Sequence, residues 1–187
     1  GKGKASPITG DDGGYSIGGL LAGDYKVQFS ASDTAYATEW YNSTVEAYTE
    51  AAAELVSAPG TDVDGELGLG GSISGMVTID RQRIAGALIN VYAAGNGPPD
   101  SPIGIATTGA DGKYTVSGLP LGAHKMQFFE EIGTGSGAGL DEWYSDQVSF
   151  GDAALVSTGS YAVNVVLGGV NNYPVNLVPI YKVLLLD

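Results

Sequence analysis

One histidine, His124, and no cysteine bound the chemistry open to this chain of 187 residues. Without a thiol there is no disulfide framework, no thiolate metal site and no cysteine nucleophile. A lone imidazole cannot assemble a histidine metal triad, and His124 stands where a second copy of the same sequence pattern has Tyr25. A position that accepts either ring is expected to be a packing position. Glu39 and Glu142 each precede Trp-Tyr, and paired carboxylates are the machinery of glycoside hydrolysis. They occupy equivalent places in separate copies, however, and are not expected to share a substrate. No GxSxG elbow is present, and the GxG runs lack the strand-to-helix setting of a phosphate loop. The sequence therefore leads to the expectation of a protein that is not an enzyme and carries no cofactor.

Binding chemistry is better represented. The pairs Trp40-Tyr41 and Trp143-Tyr144 offer flat rings on which a sugar face can stack, although recurrence in both copies suits structural packing equally well. Asp11, Asp12, Asp62, Asp64 and Asp111 are hard oxygen donors, but none falls in the dense DxDxDG spacing of a calcium loop, so no metal site is expected. Asn42-Ser43-Thr44 matches the acceptor pattern for N-glycosylation.

Charge narrows the partners. Asp and Glu outnumber Lys and Arg by 21 to 8, a net charge of −13 spread along the chain. Such a surface repels phosphate backbones and anionic membranes, so neither nucleic acid nor a membrane surface is an expected partner. The most apolar stretch, residues 175–186, is too short and too interrupted by Pro179 and Lys182 to span a bilayer. The sequence opens on Gly1 without an initiator Met or signal peptide, as expected of a processed product or a fragment.

The elements that would position these residues are strands. Thirty glycines among β-branched and aromatic residues point to short strands and tight turns. Residues 10–29 (GDDGGYSIGGLLAGDYKVQF) align without a gap on residues 109–128 (GADGKYTVSGLPLGAHKMQF) at an offset of 99. The match continues through Glu39-Trp40-Tyr41 and Glu142-Trp143-Tyr144, then Leu55-Val56-Ser57 and Leu155-Val156-Ser157. Asp12-Gly13 and Asp111-Gly112 read as tight turns, followed by alternating strands at residues 15–17 and 25–29 and their counterparts. Residues 45–55 are Ala- and Glu-rich and read as a short helix, which the second copy shortens to 149–155.

The second copy has two further opening strands, at residues 72–77 and 86–92, for which the first has no equivalent. A sandwich without them has an uncovered core and an unpaired sheet edge, which invites strand addition. At the far end, where a third copy would begin, the chain reads VNNYPVNLVPIYKVLLLD. Val175, Leu177, Tyr181, Val183 and Leu185 share one face of that strand, and Val178, Ile180, Leu184 and Leu186 the other. A strand apolar on both faces is expected to be buried as a donor strand, between subunits in preference to within one chain.

GSISGMVT, GALINVYA, ADGKYTVSGLPLG and DEWY, in that order, resemble the carboxypeptidase regulatory-like domains, which are related to the collagen-adhesin B-type repeats. The resemblance implies an all-β protein of two tandem Ig-like, prealbumin-like β-sandwiches: residues 1–70, lacking the N-terminal strands, and residues 71–169. Residues 170–187 depart from the family's pattern and are the candidate donor strand. It implies an extracellular or cell-surface setting and no catalytic residue. A Lys–Asn isopeptide of the adhesin kind would fall at Lys26 or Lys125, but no Asn with a matching acid recurs in both copies. The expectation is a structural subunit polymerising head to tail into a filament, the alternative being a carbohydrate-binding or adhesive module with a polysaccharide partner.

Overall fold

The turns are built locally, and built twice. Asp12 Oδ1 accepts the Gly14 N–H at 3.0 Å and Asp111 Oδ1 accepts that of Lys113 at 3.1 Å. Gly13 and Gly112 take φ of 79° and 71°, the left-handed region that glycine enters without a Cβ penalty. Each turn then closes through a backbone bond of 2.9 Å, Gly13 N–H to Gly10 O and Gly112 N–H to Gly109 O.

The computed structural model describes residues 5–33, 35–79, 81–95, 101–130, 140–145, 147, 149–158 and 165–166. Among these the chain is all-β, with a single turn of 3-10 helix at Glu50–Ala52. In the first copy the strands are β1 (Gly23–Tyr25), β2 (Gln28–Phe29), β3 (Glu39–Trp40) and β4 (Val56–Ala58). Next come β5 (Gly71–Ile79), β6 (Gln82–Arg83), β7 (Leu88–Ala93) and β8 (Gly104–Thr107). The turn at Gly112 leads into β9 (Lys113–Leu119) and β10 (Ala123–Glu130), followed by β11 (Leu140–Trp143), β12 (Val156–Ser157) and β13 (Val165–Val166).

From residue 71 onward the strands form two sheets over one core, a β-sandwich-like arrangement. One sheet centres on β10, with β11 and β12 along one edge, β7 along the other, and β8 beyond β7. The other centres on β5, which pairs antiparallel with β9 and β6 and parallel with β13. Alternation does the rest: β9 buries Tyr114, Val116 and Leu119, while Lys113, Thr115 and Ser117 face water. Together with Ile73, Val77, Ile89, Val91, Met126, Phe128 and Val156 they make a continuous apolar core.

In the first copy the ladders repeat that register residue for residue. β2 and β3 pair Gln28 with Trp40 and Phe29 with Glu39, as β10 and β11 pair Gln127 with Trp143 and Phe128 with Glu142. β1 and β4 set Asp24 opposite Ser57, as β10 and β12 set Ala123 opposite Ser157. An edge-to-face ring pair recurs too, Tyr15 on Phe29 and Tyr114 on Phe128, each with centroids 5.8 Å apart. The helix expected over residues 45–55 shrinks to one 3-10 turn, because Trp40 N–H bonds Ala47 O at 2.7 Å and holds that backbone extended against β3. A tertiary bond thus overrides Ala and Glu propensity.

Burial separates the copies where register does not. Tyr114, Val116, His124, Met126 and Phe128 are all buried, whereas their counterparts Tyr15, Ile17, Tyr25, Val27 and Phe29 are only half-buried. Phe128→Ala should cost about 3–5 kcal/mol of stability and Phe29→Ala less than half of that, a difference read from paired denaturant titrations of the two variants. Equal losses would show that the first copy has a core as closed as the second.

Candidate functional site

Two strand edges explain the half-burial. In the second copy β7 lies between β10 and β8, and β5 lies between β9 and β13. Residues 23–29 keep the β3 and β4 side of their ladder, but along the opposite edge, where β10 has β7, no ladder forms among the described residues. Residues 14–20, the counterpart of β9, have no ladder partner among the described residues, and neither do residues 5–8, the counterpart of β8. Apolar side chains stand open beside these edges: Ile8 is 93% exposed and Leu21 81%. Tyr15 reaches away from its own segment to donate its hydroxyl to Val63 O at 2.5 Å.

β7 also supports a second cluster, on the outer face of its sheet. Tyr92 stacks on Trp143 with centroids 5.2 Å apart, and Phe150 closes on both rings. Trp143 is therefore 8% exposed and its ring is spent in packing. Trp40, at the matching position, is half-buried, and among the described residues no aromatic ring packs on it. Of the four aromatic candidates for sugar contact, Trp40 and Tyr41 line a cleft of about 250 Å³ together with Phe29, Glu39, Glu46, Asp64 and Glu66; Trp143 and Tyr144 do not. Glu39 in that cleft is a structural acceptor, its Oε1 taking the Gly68 N–H at 3.1 Å. It pairs with Phe29 and Glu142 with Phe128, so each carboxylate belongs to its own copy.

Asn42 has a local task beyond its glycosylation pattern. Its Oδ1 accepts from the N–H of Thr44 at 3.0 Å and of Val45 at 3.2 Å, and its Nδ2 donates to Ala52 O at 2.9 Å. Ser43 adds backbone and hydroxyl bonds to Glu54 Oε2 at 2.8 and 2.6 Å, which hold that carboxyl below its usual range. Lys26 reaches Glu50 O at 2.6 Å and Lys125 reaches Phe150 O at 2.5 Å, so the matched lysines anchor the same loop in each copy. Among the described residues no three His, Asp or Glu side chains are placed to hold a metal ion.

The exchange of Tyr25 for His124 also has a shared geometry. Tyr25 donates its hydroxyl to Leu21 O at 2.8 Å, and His124 Nε2 lies 2.8 Å from Pro120 O, the same carbonyl four residues back. Burial pushes the His124 pKa below its ordinary value, against the opposing pull of the Pro120 and Tyr92 backbone groups. With the folded pKa depressed, the unfolded chain takes up the proton first. Stability from this group is full above the unfolded pKa near 6.5 and falls as pH drops from there toward the folded value. His124→Tyr, which keeps the carbonyl bond, should remove that component, so the drop in melting temperature between pH 7.5 and pH 5 should be smaller in the variant. An unchanged drop would place the pH sensitivity elsewhere.

The residues 175–185 expected to act as a donor strand lie outside the described residues. Sequence reading missed the outer aromatic cluster, because Tyr92 and Trp143 meet only through the β7–β10–β11 ladder. The recurrence of Trp-Tyr was the available signal. No family model and no curated protein sequence matches the chain.

Proposed function

We propose that the chain is the subunit of an extracellular or cell-surface filament, assembled head to tail by donor-strand exchange. On this reading it comprises two tandem prealbumin-like sandwiches of the carboxypeptidase regulatory-like kind. The first, residues 1–70, lacks two strands, and residues 170–187 of a neighbouring chain add a strand at that vacancy. The observation that carries the proposal is the contrast between matched residues. The same five inward side chains are buried where β5 and β7 are in place and half-buried where, among the described residues, those strands have no counterpart. An edge that is apolar and hydrogen-bond-competent is the acceptor that strand addition requires. The contact joins different surfaces of the subunit, so it need not close on itself and propagates into a fibre. No catalytic step enters this function.

Deleting residues 170–187 should abolish filaments visible by negative-stain electron microscopy and leave a monomer by light scattering. Filaments of undiminished length in the truncated protein would sink the proposal.

The cleft at Trp40 favours one second reading, a carbohydrate-binding or adhesive module. A half-exposed indole beside Tyr41 and several carboxylates suits the C–H face and hydroxyls of a sugar. On this reading glycan-array binding should be present in the native chain and lost in Trp40→Ala; a native chain that binds no glycan removes it.

A further inference from the structure

The donor tail and the missing β7 share a sequence. β7 reads Leu88-Ile89-Asn90-Val91-Tyr92-Ala93, and the tail contains Leu177-Val178-Pro179-Ile180-Tyr181-Lys182. Leu and Tyr recur at the first and fifth places, and Ile and Val exchange at the second and fourth. The faces agree as well. β7 sends Ile89 and Val91 into the core, and on its other face Leu88 and Tyr92 flank Asn90, with Tyr92 joining Trp143 and Phe150. β5 sends Ile73 and Val77 inward and carries Ser72, Ser74, Met76 and Thr78 on its other face, with no aromatic residue. Tyr181 of the tail matches the first pattern and not the second.

Resting on the strand-exchange reading, we propose that residues 177–182 of one subunit occupy the β7 position of the next, antiparallel to its residues 25–30. Carrying over the β7–β10 register sets Ile180 opposite Val27, Val178 opposite Phe29, Tyr181 opposite Lys26 and Pro179 opposite Gln28. Val178 and Ile180 then close the half-buried core over Phe29 and Val27. Tyr181 supplies the ring that Trp40 has no partner for, as Tyr92 does for Trp143, and its hydroxyl meets Gln28 as Tyr92 meets Gln127 Oε1 at 3.0 Å. Pro179 in the place of Asn90 forgoes one ladder hydrogen bond. The assembled contact thereby covers the β7 side of the first copy's core and gives Trp40 a stacking partner, leaving the β5 side unfilled.

The chain has no cysteine, so introduced pairs report without background. Directly opposed antiparallel residues stand about 4.5–5.5 Å apart at Cα, within disulfide reach. Polymers of Gln28→Cys/Pro179→Cys, oxidised, should give a ladder of covalent multimers on a non-reducing denaturing gel. Ser16→Cys, on the edge where β5 would pair, should give none when combined in turn with Val178→Cys, Pro179→Cys or Ile180→Cys. Each single-cysteine chain must still form filaments by electron microscopy. Linkage through residue 16 in place of residue 28 overturns the assigned position and leaves polymerisation by the tail intact. A crosslinked monomer in place of a ladder keeps the position and overturns the head-to-tail reading. Intact filaments with no covalent product from any pair overturn both. In the cysteine-free chain, Tyr181→Ala should raise the concentration needed for assembly by about tenfold or more, as loss of a central aromatic anchor does. Tyr173→Ala, outside the matched segment, should leave it unchanged. Equal effects of the two substitutions overturn the register.

Discussion

The ladder between β7 and β10 is the constraint on which the rest of the second copy depends. Its two strands hold one sheet together and supply Ile89, Val91, Met126 and Phe128 to the inner core. They also bring Tyr92 over Trp143 on the outer face, so one strand pairing consolidates two clusters on opposite sides of a sheet. Pairing also satisfies the backbone polar groups of both strands, without which neither cluster could be buried at tolerable cost.

The first copy repeats part of that register, and among the described residues no ladder forms where β10 has β7. What persists is what is encoded locally or on the remaining edge: the Asp-Gly turns, the Tyr15–Phe29 ring pair, the β2–β3 register and the lysine anchoring its loop. What differs is what β5 and β7 supply in the second copy: the inward side chains are half-buried, and among the described residues Trp40 has no aromatic neighbour and residues 14–20 no ladder. On the strand-exchange proposal, the ladders already formed on the β3 and β4 side would not have to rearrange to receive a strand. That preorganisation lowers the ordering cost of association to that of the incoming strand itself.

The sequence made much of this readable because the two copies serve as controls for one another. Period-two alternation and the Asp-Gly dipeptides placed β9 and β10; transferred by the 99-residue offset, the strand expected at residues 15–17 does not form and that at 25–29 appears only as β1 and β2, because the ladders that hold β9 and β10 have no counterpart there among the described residues. The absence of counterparts for residues 72–77 and 86–92 was visible in the alignment. Less was legible where an outcome depended on a distant pairing. The short β6 at Gln82–Arg83 follows Arg81 at φ 66°, a left-handed non-glycine that no local propensity announces. The Ala- and Glu-rich segment 45–55 carries a helical composition that the Trp40–Ala47 backbone bond overrules. The role of Trp143 was ambiguous for the same reason, since its partners come from two other elements.

Position and chemistry also separate the two copies of Trp-Tyr. An indole becomes structural when a tyrosine from the neighbouring strand covers it, and binding-competent when that strand is missing. In the second copy β7 makes the first choice, with Trp143 8% exposed. In the first, Trp40 is half-buried and, among the described residues, has no ring packed on it. The filament and carbohydrate readings therefore compete for one residue: a strand that restored the β7–β10 pairing would cover the ring a sugar would need. A single subunit in an assembled fibre cannot offer Trp40 to both, and only a subunit whose acceptor edge is unfilled, as at a fibre end, would retain that ring for a glycan.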